Sequence, residues 1–253
     1  MNSLEIAREN NCALFTPSSI GAFGPSTPKD KTPQDTLMRP TTIYGVCKVT
    51  GELLGDYYHT RFGVDTRSVR FPGLISSLTL PGGGTTDYAV EIFYEAVKSG
   101  KFTCPVPSDV YMDMMYMPDA LRACVELMEA DPSKLVHRNS FNIASMSFTP
   151  EIICAEVKKL VPGFTMDYNV DPVKESIARS WPNSIPARAR SGAGLRNGIS
   201  LRCRPICWKK SRRKKRRGCC NSFGIFLVPG LLAVYCIDTV SVLVTGITGP
   251  LDT

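Results

Sequence analysis

The stretch IYGVCKVTGELLGDYYHTRFG (residues 43–63), followed at once by VDTRSVRFPG (64–73), decides the fold. In its first part Val46, Val49, Leu53, Leu54 and Tyr57 recur at helical spacing. The second part is a run with β-branched residues closed by Pro72-Gly73, which reads as a strand. Upstream, ALFT (13–16) is a short apolar run that ends in the turn-rich PSSIGAFGPSTP, as a buried parallel strand does. Strand, helix and strand in that order predict a parallel-sheet unit and hence an α/β fold.

The pattern continues outward on both sides. Residues 3–10 read as the end of a helix, 87–98 as a helix, 102–106 as a short strand and the segment after Pro118 to residue 129 as a helix. SFNIA (140–144) reads as a strand. Thr149-Pro150-Glu151 is a strong helix start: the threonine oxygen caps free N–H groups, proline needs none, and glutamate favours the positive end of the dipole. That helix is expected to stop before Pro162-Gly163. The methionines of YMDMMYM (111–117) read as core filling.

At 253 residues and 43% hydrophobic, the chain can bury a sizeable core. Its net charge of +7 is misleading, because residues 185–253 hold 13 Lys/Arg against only Asp238 and Asp252, a surplus of +11. Residues 1–184 therefore stand at −4, and no nucleic-acid partner is expected. From residue 186 periodicity is lost, and the basic run KKSRRKKRR (209–217) leads into an apolar stretch broken by Pro229, Gly230 and Asp238. That break argues against a membrane anchor, which needs about 20 apolar residues; residues 185–253 read as a largely disordered tail. Of the ten cysteines, Cys12, Cys47, Cys104, Cys124 and Cys154 read as reduced core thiols. With no CxxC pair and two histidines, no metal site is expected. MNSLEIAREN carries Glu5 and Glu9 and no apolar core, so it reads as neither signal nor transit peptide.

The chemistry-bearing residues lie within the deciding stretch and just before it. Tyr44 and Lys48 are four apart on the predicted helix, hence on one face, and an ammonium beside a phenol stabilises the phenolate, so Tyr44 can act as a base. Alone this pair is also compatible with an ordinary surface helix. Its context strengthens it: Ser18-Ser19 follow the ALFT strand at its carboxyl end, where α/β folds place their sites.

The order PSSIGAFGP, PTTIYGVCK, RFPGLIS resembles the extended short-chain dehydrogenase/reductase, or NAD-dependent epimerase/dehydratase, family, with its SS-x4-G, YGxSK and R-x-x-N/G segments. PGGGTTDYAVEIFYEAV (81–97), FTCPVP, YMDMMYMPDALRACVELME (111–129) and SFNIASMSFTPEII (140–153) narrow the likeness to its L-threonine 3-dehydrogenase branch over about residues 1–184.

The resemblance implies a partial Rossmann-like parallel sheet from residues 1–74 and 111–144, a small substrate-binding subdomain from 75–110 and 145–184, and a non-family tail. It implies oxidation of L-threonine to 2-amino-3-oxobutyrate with NAD as cofactor. Tyr44 would take the hydroxyl proton, Lys48 would hold the nicotinamide ribose, Ser19 would bond the reacting oxygen, and Leu74 would meet the nicotinamide end. Thr85 and Thr86, after three glycines, are candidates for the threonine carboxylate, against the plainer reading of Thr86 as a helix cap. A homodimer through the tyrosine helix and a mitochondrial location are also implied. The family's GxxGxxG turn, which receives the cofactor pyrophosphate, has no counterpart in the sequence, so impaired NAD binding and little or no turnover are expected. The alternative is a catalytically dead remnant serving as an interaction protein.

Overall fold

The computed structural model describes residues 1–181 apart from 79, 136–138 and 144–145, together with 226–228, 231–233 and 242–246. In chain order the elements are α1 (Asn2–Glu9), β1 (Leu14–Ser19), α2 (Ile43–Phe62), β2 (Thr66–Phe71), β3 (Gly73–Ile75), α3 (Tyr88–Lys98), β4 (Lys101–Cys104), β5 (Met112–Tyr116) and α4 (Met117–Glu129). There follow β6 (Phe141–Asn142), β7 (Met146–Phe148), α5 (Pro150–Leu160), β8 (Thr165–Tyr168), α6 (Pro172–Ser180), β9 (Phe226–Val228), β10 (Leu231–Ala233) and β11 (Val242–Gly246).

The fold is α/β, built on a parallel unit as the sequence requires. β1 pairs in parallel with β2 from Leu14↔Thr66 to Ser19↔Phe71, and β2 pairs in parallel with β6 through Val69↔Phe141 and Arg70↔Asn142. The other edge of β1 pairs antiparallel with β11, which continues through β10 to β9. These three short strands fall within residues 185–253, where the sequence suggests a largely disordered tail, and β11 satisfies free N–H and C=O groups along the β1 edge. KKSRRKKRR lies outside the described residues. Among the described residues no helix is long and apolar enough to cross a membrane.

β3, β5 and β7 form a second sheet, with β3 parallel and β7 antiparallel to β5, and β4 pairs in parallel with β8. One core lies here, where Tyr88 and Ile92 of α3 and Ile153 and Val157 of α5 meet Met112 and Met114. A smaller core joins α1 to the parallel unit through Leu4, Ala7, Leu14, Tyr58 and Val64. The helix starts follow their chemistry: Thr149 Oγ1 accepts from Ile152 N, and Thr42 Oγ1 accepts from Gly45 N at 3.1 Å. Helix α2 ends on Gly63 at φ 71°, a left-handed geometry that glycine adopts without steric cost.

Helix α2 turns an unexpected face to the sheet. Its buried residues are Gly45, Glu52, Gly55 and Tyr58. Val46, Leu53 and Tyr57, which carry the helical spacing in the sequence, are exposed, at 60% for Leu53, while Val49 and Leu54 are half-buried. Cys47 is exposed as well, so it is no core thiol; Cys104 and Cys154 are buried, and Cys12 and Cys124 are half-buried. Burial pushes the Cys104 thiol to about 11 and the Cys124 thiol to about 12, away from reactivity at neutral pH.

Candidate active site

Ser19 is the last residue of β1, which runs three residues past the Thr16 end that the sequence suggested, and its Oγ accepts from Gly21 N at 3.1 Å across a short 3-10 turn (Ile20–Ala22). The turn presses Gly21 against the first turn of α2. A methyl group added to Gly21 would lie 2.8 Å from Tyr44 Cε1 and 3.4 Å from Ser19 Oγ; one added to Gly45 would lie 2.2 Å from the Gly21 carbonyl oxygen. Two missing side chains thus let the Tyr44 ring and the Ser19 hydroxyl border the same point.

Lys48 stands one turn along α2, its Nζ 5.3 Å from the centroid of the Tyr44 ring and donating to the Pro17 carbonyl at 2.7 Å. Partial burial holds its ammonium below the usual lysine range, and the Glu52 carboxylate offsets part of that effect. Tyr44 is 52% exposed, so a substrate can reach its phenol. The structure therefore brings Ser19, Tyr44 and Lys48 into one group at the carboxyl end of β1.

The remaining candidates lie around β3. Ser19 is in register with Phe71, and two residues later the chain enters β3, where Leu74 is half-buried beside Met115. The Thr86 side chain packs on Gly73, whose absent methyl would be 2.8 Å from Thr86 Cβ and Cγ2. Helix α3 starts one residue later than a Thr86 cap requires, at Tyr88 after Asp87. The Asp87 carboxylate turns back instead and accepts from Gly82 N at 2.8 Å and Gly84 N at 2.9 Å, so these glycine amides are occupied within the chain. Thr85 is half-buried at the end of that turn.

Beneath Lys48 lies a set of polar side chains that the sequence reading did not single out. Glu52 and Arg70 form a buried ion pair, Arg70 Nη2 donating to Glu52 Oε2 at 2.8 Å and Nε to Oε1 at 3.0 Å. Ser18 Oγ donates to Glu52 Oε1. Arg70 Nη1 donates to Asn142 Oδ1 and to the Gln34 carbonyl, both at 3.0 Å. Only the arginine inside the VRF strand was a signal, since a buried charge needs a partner; nothing in the sequence said that Glu52 was that partner. Among the described residues no group of three His, Cys, Asp or Glu side chains could hold a metal ion.

A hydroxyl at a strand end, a phenol and an ammonium in this order can bind an alcohol, remove its proton and hold the base in place. Comparisons with known proteins give the family. Residues 1–144 match the NAD dependent epimerase/dehydratase family. An "uncharacterized epimerase/dehydratase" of Staphylococcus haemolyticus (strain JCSC1435) is 63% identical over 185 residues, covering 73% of this chain and 58% of that protein. The chain thus spans about three-fifths of that relative's length. Among solved structures, an L-threonine dehydrogenase from Clostridium difficile superposes with a TM-score of 0.77 at 54% identity, over 84% of this chain and 67% of that one. The holo form of a GalE-like L-threonine dehydrogenase from Cupriavidus necator gives 0.72 at 49% identity, over 84% and 67%.

Proposed function

The chain belongs to the NAD dependent epimerase/dehydratase family, and on that premise we propose that Ser19, Tyr44 and Lys48 are the proton-transfer group of an NAD-dependent L-threonine 3-dehydrogenase. The observation that carries this reading is the shared border of the Tyr44 ring and Ser19 Oγ at Gly21, with Lys48 Nζ against the same ring. Ser19 and Tyr44 take the threonine hydroxyl between them. Tyr44 accepts its proton, and Lys48 keeps the developing phenolate charge stable. Thr85 and Thr86 are assigned to the threonine carboxylate.

NAD supplies the hydride acceptor. The residues present fit its nicotinamide end, where Lys48 would hold the ribose and Leu74 would line the ring. They do not fit its pyrophosphate: no GxxGxxG turn occurs in the sequence, and the amides of Gly82 and Gly84 are taken by Asp87. Several lost hydrogen bonds weaken binding steeply, since each ~1.4 kcal/mol is a factor of ten. This polypeptide is therefore proposed to bind NAD worse than micromolar and to turn over slowly if at all.

A second reading follows from α2, whose exposed Val46, Cys47, Leu53 and Tyr57 form an apolar stripe suited to the same helix of a second copy. In that case a homodimer forms whether or not the site turns over. NADH formation from L-threonine, followed by absorbance at millimolar NAD in the parent and in Tyr44→Phe, tests the enzyme reading. Equal, measurable rates in the two proteins refute it. Titration calorimetry with NAD tests the cofactor part, and micromolar binding refutes that part alone.

A further inference from the structure

We propose that Glu52 is a positioning residue for the proton-transfer group: held from β1 by Ser18 and from β2 by Arg70, it sets where Lys48 stands on α2 relative to the strand end. The inference rests on the reading of Ser19, Tyr44 and Lys48 given above.

Tyr44, Lys48 and Glu52 follow one another at four-residue intervals, so they form a single stripe along α2. One end of that stripe is exposed and reactive, and the other is anchored. Glu52 is buried, and both of its carboxylate oxygens are engaged by Arg70 and Ser18. Its partners form a row across the sheet, because Ser18 is in register with Arg70 and Arg70 with Asn142. Arg70 reaches Asn142 and the Gln34 carbonyl with its remaining nitrogen, while the Gln34 side chain bonds Ser140 O at 2.6 Å and Asn142 N at 2.9 Å. One carboxylate thus ties α2 to three parallel strands just below Ser19.

Apolar packing tolerates small slides and rotations of a helix, whereas a bidentate ion pair with a third hydrogen bond is directional. A rotation of α2 that moved Tyr44 away from Gly21 would also pull Glu52 from Ser18 and Arg70. The carboxylate acts on Lys48 by charge as well. It is the charged group that raises the Lys48 proton affinity against burial, Pro17 on β1 offering only a carbonyl and Arg70 on β2 being engaged with Glu52 itself. The ammonium is the form that steadies a phenolate, so Glu52 holds Lys48 both in place and in the competent state.

The test follows the Lys48 side chain by carbon-13 NMR in lysine-labelled protein, its signal assigned by loss in Lys48→Met. In the double variant Glu52→Gln/Arg70→Gln, which leaves no unpaired buried charge, the Lys48 titration midpoint is expected to fall by about one pH unit, tenfold in proton affinity. A role confined to fold stability leaves that midpoint where it is. A Glu52→Met/Arg70→Met pair serves where the glutamine pair does not fold. An unchanged midpoint in either folded pair overturns the proposal, as does failure of both pairs to fold. If the midpoint falls but Tyr44→Phe still produces NADH at the parent rate, Glu52 anchors Lys48 as proposed, and it is the proton-transfer reading that fails.

Discussion

Gly21 and Tyr44 touch across the end of β1, the space of the missing Gly21 methyl being filled by the edge of the Tyr44 ring. Gly21→Ala is expected to displace that ring from Ser19. Tyr44 is half-exposed and can swing into solvent, so stability should change by less than about 1 kcal/mol while any NADH formation falls about tenfold or more. Gly45→Ala should behave in the opposite way. Its methyl meets a backbone oxygen that cannot swing aside, and urea unfolding should show a loss of about 1–3 kcal/mol.

The Glu52–Arg70 pair predicts an asymmetry in stability. Glu52→Gln alone leaves a buried guanidinium without its carboxylate and should cost about 3–5 kcal/mol, whereas replacing both partners by methionine should be close to neutral. Chemical denaturation of the three proteins reads the difference directly.

On the proposed reading Lys48 should set the alkaline side of any pH–rate profile. Burial disfavours its ammonium, so the proton leaves at a lower pH than from an exposed lysine, and the decline should begin below the ordinary value of about 10.4. Lys48→Arg, with a guanidinium that stays charged, should remove that limb from whatever rate remains. An alkaline limb common to both proteins would assign it to another group.

The outward face of α2 predicts association. Sedimentation equilibrium should find a dimer for the parent chain, and Leu53→Glu, which puts a charge into the middle of the exposed apolar stripe, should leave a monomer without lowering helix content. A dimer that survives the substitution places the interface elsewhere.

Much of this arrangement is legible in the chain itself, because the period of the apolar residues separates helix from strand. The unit of β1, α2 and β2 and the threonine cap of α5 follow from local chemistry. What failed is equally local. Helical spacing in 43–63 marked α2 but not which side of it meets the sheet, since glycine, glutamate and tyrosine fill the buried face while Val46 and Leu53 look outward. The strand β5 hides in YMDMMYM because all five of its residues are buried, so no alternation marks it. Tyr44 and Lys48 could be singled out by spacing, Ser19 by its place after the first strand, and Thr85 with Thr86 by the three glycines before them, whereas Leu74 came from the family resemblance. Glu52 could not, because its meaning depends on Ser18 and Arg70, which are remote in sequence and meet it only once the parallel strands are in register.

On the proposed reading the phenol and the strand-end hydroxyl converge on one substrate oxygen, and the ammonium steadies the phenol. A crystal structure of the chain grown with millimolar NAD and L-threonine tests it most directly. The Tyr44 and Ser19 hydroxyls should both lie within hydrogen-bond reach of the threonine hydroxyl, with the Lys48 ammonium beside the Tyr44 ring. A Tyr44 hydroxyl turned away from both Ser19 and Lys48 would contradict it.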